Sequence, residues 1–330
     1  MVVNSGNANA CTGSRGLSDA LRMAQAAADA VDCSPHEVLV ASTGVIGRVM
    51  PMERVLPAIR VAALGLSPDR GEAAAEAIMT TDTRSKQAGV EFEVAGVRHR
   101  LGGMAKGSGM IHPDMATLLA FVTTDAAVEP GPLQRLLGEV AARTFNRISV
   151  DGDTSTNDCC LLLANGAAGG PALAPGSEGW GRLEEALQEV LGQLAEQVVA
   201  DGEGATRVFS VRVSGAGDPE QALAAARCVS SSPLVKTAIH GGDPNWGRVL
   251  MAVGRSGAEL ALDRCRLAMQ GEELFANGQV VEGAVARVAP RLLSPKVTIE
   301  INLGVGEAEA EALGCDLSAD YVRINADYST

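Results

Sequence analysis

Aromatic residues are scarce: Phe, Tyr and Trp make up 3% of a chain that is 46% hydrophobic, so Ala, Val and Leu must fill its interior. Positive charge is also thin. The net charge is -13 and no dense Lys/Arg cluster occurs, which argues against nucleic acid and anionic membrane as partners and favours a small soluble metabolite. No apolar run reaches the roughly 18 residues needed to span a bilayer. Met1 to Cys11 has neither a basic start nor a long apolar centre, so a cytoplasmic protein is expected. The seven cysteines, at 11, 33, 159, 160, 228, 265 and 315, are odd in number and include no C-x-x-C pair. That pattern excludes a disulfide framework and a zinc site, and predicts reduced, mostly packed thiols. The histidines at 36, 99, 112 and 240 also lack metal-ligand spacing.

A chain of 330 residues can bury a large core as one big domain or two lobes. Apolar residues at helical spacing predict helices over 17–31, 52–64, 70–79, 133–145 and 183–199. Apolar or alternating runs predict strands over 38–41, 90–101, 118–123, 159–164, 207–213 and 297–303. Asn277-Gly278 has the composition of a tight turn. The Gly, Ala and Pro in 165–179 mark a loop or lobe junction. The mixture predicts an α/β architecture of layered helices and sheets.

Several motifs invite a chemical reading and fail it. Lys106 in the glycine-rich run 102–109 precedes Gly107, whereas a phosphate-binding loop places its lysine between Gly and Ser or Thr. The same run lacks the G-x-S-x-G of a serine nucleophile elbow. Asp151 to Asp158 is rich in carboxylates but lacks calcium-loop spacing and its distal Glu, and is expected to be structural support. Asn4, Asn7 and Asn9 fit a turn or a substrate-facing loop equally well.

The most informative stretch is KGSGMIHPDMATLLAF, from Lys106 to Phe121. A threonine hydroxyl is a weak nucleophile, and one route to activating it frees its own α-amine as general base by cutting the preceding peptide bond. Here that bond joins Ala116 to Thr117. The small Ala116 leaves room for the hydroxyl, and Gly107, Gly109 and Pro113 suit a constrained loop. His112 lies close by in sequence, but a base in the threonine's own amine leaves it a structural role.

This run resembles the self-cleavage motif of the ornithine acetyltransferase family, also called glutamate N-acetyltransferase, whose members cut before the threonine of M-A-T-[LM]. NSGNANACTG (4–13), STGVIG (42–47), IMTTDT (78–83), SVDGDTSTND (149–158), DGEGAT (201–206), SPLVKTAI (232–239), DPNWGR (243–248) and the terminal GCDLSADYVRINADYST are similar to family blocks in family order. The resemblance covers nearly the whole chain. It implies a layered α/β/β/α-type sandwich of the self-processing ornithine acetyltransferase and aminopeptidase type. It further implies an α piece, 1–116, and a β piece, 117–330, associating as α2β2.

By the same resemblance Thr117 is the nucleophile, and Thr43 and Gly44 stabilise the oxyanion. Thr83, Lys106, Thr117, Glu203, Asn325 and Thr330 match substrate-binding positions. Each residue has a plainer reading too: a strand-to-loop turn for Thr43-Gly44, a solvated lysine for Lys106, a turn cap for Glu203 and a frayed tail for Asn325 and Thr330. A cation at Lys106 suits an amino-acid carboxylate, and an acid at Glu203 suits an amino group. The tail YVRINADYST alternates apolar and polar residues at first, consistent with docking near the site.

The implied activity passes acetyl from N-acetylornithine to glutamate in arginine biosynthesis, without cofactor or metal. Use of acetyl-CoA as a second donor, which separates bifunctional from monofunctional members, is left open by the residues. Two other readings also stay open. A self-processing aminopeptidase would let water replace glutamate as acceptor. An inactive, truncated member is the other, since the family carries several tens of residues ahead of the NSGNANACTG block and the α piece here is expected to lack a strand.

Overall fold

A computed structural model describes residues 1–112 and 118–327. The expected scissile pair, Ala116 and Thr117, and the terminal Thr330 lie outside the described residues.

The first third runs β1 (Val2–Asn4), α1 (Gly13–Val31), β2 (Val40–Ser42), α2 (Met52–Leu64), α3 (Gly71–Ala77), β3 (Lys86–Val94) and β4 (Val97–Lys106). After residues 113–117 come β5 (Leu119–Thr124), α4 (Pro130–Arg143), β6 (Ile148–Ser149), β7 (Cys159–Ala164) and α5 (Glu178–Ala200). The remainder is β8 (Val208–Ala216), α6 (Pro219–Ser230), α7 (Pro233–Gly241), α8 (Trp246–Gly254), β9 (Arg266–Met269), β10 (Glu272–Ala276), β11 (Gln279–Val280), α9 (Ala284–Val288), β12 (Lys296–Asn302), β13 (Ala308–Cys315) and α10 (Ala319–Asp327).

The layers follow from which faces are apolar. β1 and β2 pair in parallel, and α1 and α2 pack on them through Met23, Met50, Met52 and Ile59. Behind them lies the sheet β3-β4-β5-β7, joined to this layer by Ala41, Ile78, Leu119 and Phe121. α4 and α5 cover the other face, with Leu183, Leu187, Val190, Leu191 and Leu194 of α5 buried at helical spacing. The sequence of layers is helix, sheet, sheet, helix, as the resemblance implied. A second sheet, β11-β10-β9-β12-β8-β13-β6, is backed by α6, α8 and α9 around Phe209, Val211, Ile299 and Leu267.

Caps and turns explain the boundaries. Ser177 accepts a hydrogen bond from Trp180 N at 3.3 Å to start α5, and Asp218 accepts from Gln221 N at 2.9 Å to start α6. The Asn277-Gly278 turn between β10 and β11 has both residues at positive φ, 51° and 78°. One strand expected over 90–101 is instead the hairpin β3–β4, turning at Ala95 and Gly96 with φ of 50° and 79°. Alanine is an uncommon left-handed residue, so the turn carries no composition signal. Residues 319–327, where no element was predicted, form the helix α10. Among the described residues no helix is long and apolar enough to cross a membrane.

Leu191 is fully buried between α5 and the four-stranded sheet. Leu191→Ala should cost about 3 kcal/mol of stability, measured as a lower urea midpoint at unchanged slope; a loss below about 1 kcal/mol would contradict this packing.

Candidate active site

The site forms where three loops meet at the ends of β2, β4 and α5. Lys106 is the last residue of β4, and its register partner on β5 is Leu119. One residue, Leu118, separates Leu119 from Thr117 in sequence, so antiparallel pairing anchors the chain just after the expected nucleophile beside Lys106. Leu118 O accepts from Cys159 N at 2.8 Å, tying this start to β7. Leu118, Leu119 and Ile111, from either side of the 113–117 segment, line one small cavity together with Thr43 and Lys106.

Thr43 and Gly44 follow β2. Thr43 N donates to Asn4 O at 3.0 Å, and Asn7 bridges both Thr43 and Val45. Asn7, buried, sends its amide to Arg48 O and Val49 O at 3.2 and 3.3 Å, which makes the asparagine-rich block a brace for this turn. Gly44 has φ of 128°, and a Cβ there would sit 2.3 Å from the Gly6 carbonyl carbon. Only glycine fits. Among the described residues the Gly44 N–H has no acceptor, while the Thr43 hydroxyl accepts from Lys106 Nζ at 3.4 Å. A hydroxyl that accepts from an ammonium keeps its own hydrogen for another acceptor. One N–H and one O–H are therefore available at this turn, the donor set that an oxyanion needs.

Lys106 is 8% exposed, and its ammonium also donates to Thr80 Oγ1 at 2.8 Å. Burial pushes its pKa below the ordinary lysine value, and Lys86 adds to that; Asp82, Asp158 and Glu203 oppose the fall without cancelling it. Beneath it lies a buried ion cluster. Lys86 Nζ is 2.6 Å from both Asp82 Oδ1 and Asp201 Oδ2. Burial raises the Asp82 pKa, but Lys106, Lys86 and the Thr80 N–H outweigh it and hold this carboxyl below its usual value.

Glu203 is buried on the opposite wall, its N–H donating to Ser108 O at 3.0 Å. Asn325 of α10 donates to Glu203 Oε2 at 2.7 Å, so the tail docks as expected. Gly109 lets the Glu203 carboxylate lie against the backbone here, because a Cβ would sit 2.5 Å from the Glu203 carboxyl carbon and displace that side chain. Thr43, Gly44, Lys106, Glu203, Tyr321 and Asn325 are among the walls of one cleft of about 180 Å³. That is below the roughly 300–1,000 Å³ of sites for drug-sized ligands, and suits a single amino acid.

Of the residues predicted from sequence, Thr43, Gly44, Lys106, Glu203 and Asn325 come together here. Thr83 does not line the cleft; its N–H and hydroxyl both donate to Asp201. Its neighbours Thr80 and Thr81 line it instead.

Sequence reasoning did not place Tyr321 at the site, and gave Asp151 and Asn157, within 151–158, only a supporting role. The Asp151 carboxylate accepts from Met110 N and Ile111 N at 2.6 and 2.9 Å, fixing the chain just before the cut region. Tyr321 OH donates to Asp151 Oδ2 at 3.4 Å, and burial with nearby Asp151 and Glu203 holds its phenol protonated. Asn157 Nδ2 donates to Ser42 O at 3.0 Å, linking the 149–158 loop to the Thr43 turn. His112 Nε2 lies 2.9 Å from Arg227 Nη2, and its Nδ1 lies 3.0 Å from Ser149 Oγ. Since the guanidinium can only donate, Nε2 accepts and Nδ1 bears the proton, which leaves neither ring nitrogen placed as a base. The cysteines offer no nucleophile in the cleft: Cys265 and Cys315 are buried, Cys159, Cys160 and Cys228 half-buried, and only Cys11 and Cys33 exposed. Burial and the adjacent Cys159 push the Cys160 thiol up to about 12.

The ArgJ family model matches residues 1–330. The chain is 52% identical over 333 residues to an arginine biosynthesis bifunctional protein ArgJ from Symbiobacterium thermophilum, covering 100% of this chain and 82% of that relative. It is 49% identical over 334 residues to the protein of the same name from Deinococcus radiodurans, with the same coverage. A crystal structure of arginine biosynthesis bifunctional protein argJ from Bacillus halodurans superposes with a TM-score of 0.61 at 41% identity, covering 63% of this chain and 98% of that one.

Gly44→Ala should destabilise the protein by about 1–3 kcal/mol through backbone strain alone, with the overlap on Gly6 adding to it. Thermal melting checks this, and a variant as stable as the wild type would overturn the assigned turn geometry.

Proposed function

The chain belongs to the ArgJ family, and from that premise we propose that it cuts itself between Ala116 and Thr117 and then carries acetyl on the Thr117 hydroxyl from N-acetylornithine to glutamate. It is an acyltransferase of arginine biosynthesis. The observation that supports this use of the cleft is the cavity beside the cut region, where Leu118 and Ile111 meet Thr43 and Lys106.

In the first stage the Thr117 hydroxyl attacks the Ala116 carbonyl carbon. The tetrahedral oxyanion takes the Thr43 O–H and Gly44 N–H, donors fixed before the charge develops. As the C–N bond breaks, the acyl group moves to oxygen and the Thr117 α-amine is freed. Water then hydrolyses the ester, releasing the α piece, 1–116, from the β piece, 117–330. In the second stage the freed amine takes the hydroxyl proton as Thr117 attacks the acetyl carbonyl of N-acetylornithine, and returns it to the departing ornithine nitrogen. Glutamate enters the emptied cleft and its amine attacks the acetyl ester; the acyl C–O bond breaks, N-acetylglutamate leaves, and the Thr117 α-amine relays the proton that regenerates the Thr117 hydroxyl.

We assign Lys106 to the substrate carboxylate and Glu203, which accepts from Asn325, to an amino group. Thr83 acts through Asp201, and Thr330 is assigned to substrate binding by the family resemblance alone. No step requires a cofactor or metal. The two pieces stay associated as an α2β2 assembly in the cytoplasm.

Thr117→Ala should leave one uncut, inactive chain of 33.8 kDa on a denaturing gel; an active, cut variant would reject the nucleophile. Thr43→Val removes one oxyanion donor and should slow self-cleavage by about 10²–10³-fold, followed by time-resolved mass analysis; cleavage at the wild-type rate would exclude Thr43. Lys106→Gln should raise the KM for glutamate by about tenfold or more, as expected for a lost charge-assisted contact. Release of free acetate without glutamate-dependent transfer would favour the aminopeptidase-like reading instead.

A further inference from the structure

We propose that Asp82 and Lys86, neither of which lines the cleft, are positioning residues of the transfer reaction that together hold the Lys106 side chain and the Glu203 turn in place. This rests on the acetyl-transfer reading of the site.

Three segments supply much of the cleft's polar wall: 80–86, 106–109 and 201–203. The ion cluster is what joins them. Asp82 Oδ1 accepts from Gly107 N at 2.6 Å as well as from Lys86 Nζ at 2.6 Å. Asp82 Oδ2 accepts from Thr80 N at 3.0 Å, and the Thr80 hydroxyl in turn accepts from Lys106 Nζ at 2.8 Å. Asp82 therefore grips Lys106 twice, through the next backbone amide and through the partner of its ammonium. Asp201 takes the other hydrogen bond of the Lys86 ammonium, at 2.6 Å, and accepts from Thr83 N at 3.0 Å. Its backbone carbonyl accepts from Ser108 Oγ at 2.6 Å, and Ser108 O holds the Glu203 N–H at 3.0 Å. One fully buried ammonium thus spans the two carboxylates that fix the cation wall and the acid wall.

Two carboxylates buried without their shared cation would repel each other and stay desolvated. The charges facing Lys106 are Asp82, Lys86, Asp158 and Glu203. Burial, with Lys86 adding to it, draws its proton affinity down, and Asp82 is the largest opposing influence. Removing the Asp82 charge while keeping its shape should therefore let Lys106 lose its proton at lower pH. A role confined to folding would not move that titration.

Asp82→Asn keeps an oxygen for the Gly107 N–H while removing the charge and the second oxygen, which accepts from Thr80 N. The test combines it with Thr117→Ala, so that both proteins are uncut and comparable, and follows the Lys106 ε-carbon by NMR against pH, with Lys106→Gln identifying the signal. The expected result is a Lys106 midpoint lowered by about one pH unit or more, the usual effect of losing an opposite charge nearby. An unchanged midpoint in a folded variant overturns the proposal. In the otherwise wild-type enzyme the alkaline limb of kcat/KM should move to lower pH, with a rise in glutamate KM exceeding any fall in kcat; a limb and a KM at wild-type values overturn it as well. Lys86→Arg retains every charge but replaces a compact ammonium by a broad planar fork. It should raise the glutamate KM while leaving the Lys106 midpoint in place, and a wild-type KM overturns the proposal even if Asp82→Asn does not fold. If the wild-type enzyme transfers no acetyl, the function reading fails while the titration still decides the positioning role.

Discussion

A single buried cation, Lys86, sits under the whole site. Its two carboxylate partners belong to segments more than a hundred residues apart in sequence, and each carboxylate anchors backbone that carries a cleft residue. Burying three charges is costly unless geometry and hydrogen bonding are good. Here the cluster's oxygens accept from Gly107, Thr80 and Thr83 as well as from Lys86, so the charge is distributed over several donors. That density of hydrogen bonds makes the cluster a positional constraint, since moving any one segment leaves a buried charge unsatisfied.

The layered fold places this constraint where the chemistry requires it. The four-stranded sheet has one face buried by α4 and α5 and the other by the small β1–β2 layer. The Thr43–Gly44 turn lies at the end of that small layer, and Lys106 lies at the end of β4 behind it. Both approach the chain that leads into β5. Asp151 holds Met110 and Ile111 on one side of the cut region, while pairing with β4 and β7 holds Leu119 on the other. The described chain is thus held on either side of residues 113–117, and positioning of a reacting group can supply much of a rate enhancement.

Much of this was legible in sequence, for identifiable reasons. α2 and β7 match their predicted spans because their apolar periodicity is uninterrupted and their ends carry clear signals. Lys106, Glu203 and the Thr43–Gly44 turn were found through motifs, since isolated spacing would have left each as an ordinary loop residue. What stayed hidden depends on contacts between distant segments. Nothing local marks Asp82 or Lys86, because their meaning comes from Asp201. Gly109 is an ordinary loop glycine until the Glu203 carboxylate is seen against it. The tail's alternation indicated no helix, yet α10 forms and aims Asn325 at Glu203 and Tyr321 at Asp151, an outcome set by docking rather than by local periodicity. Most of the second sheet and α6–α8 were missed for a similar reason, their short alanine- and glycine-rich segments carrying weak periodic signals.

The central claim is that cleft, turn and tethered loop together make a self-activating threonine. The most direct test is the mass and N-terminal sequence of the purified wild-type protein under denaturing conditions. The account predicts two pieces, the second beginning at Thr117. A single chain of 33.8 kDa that stays intact on prolonged incubation would contradict it.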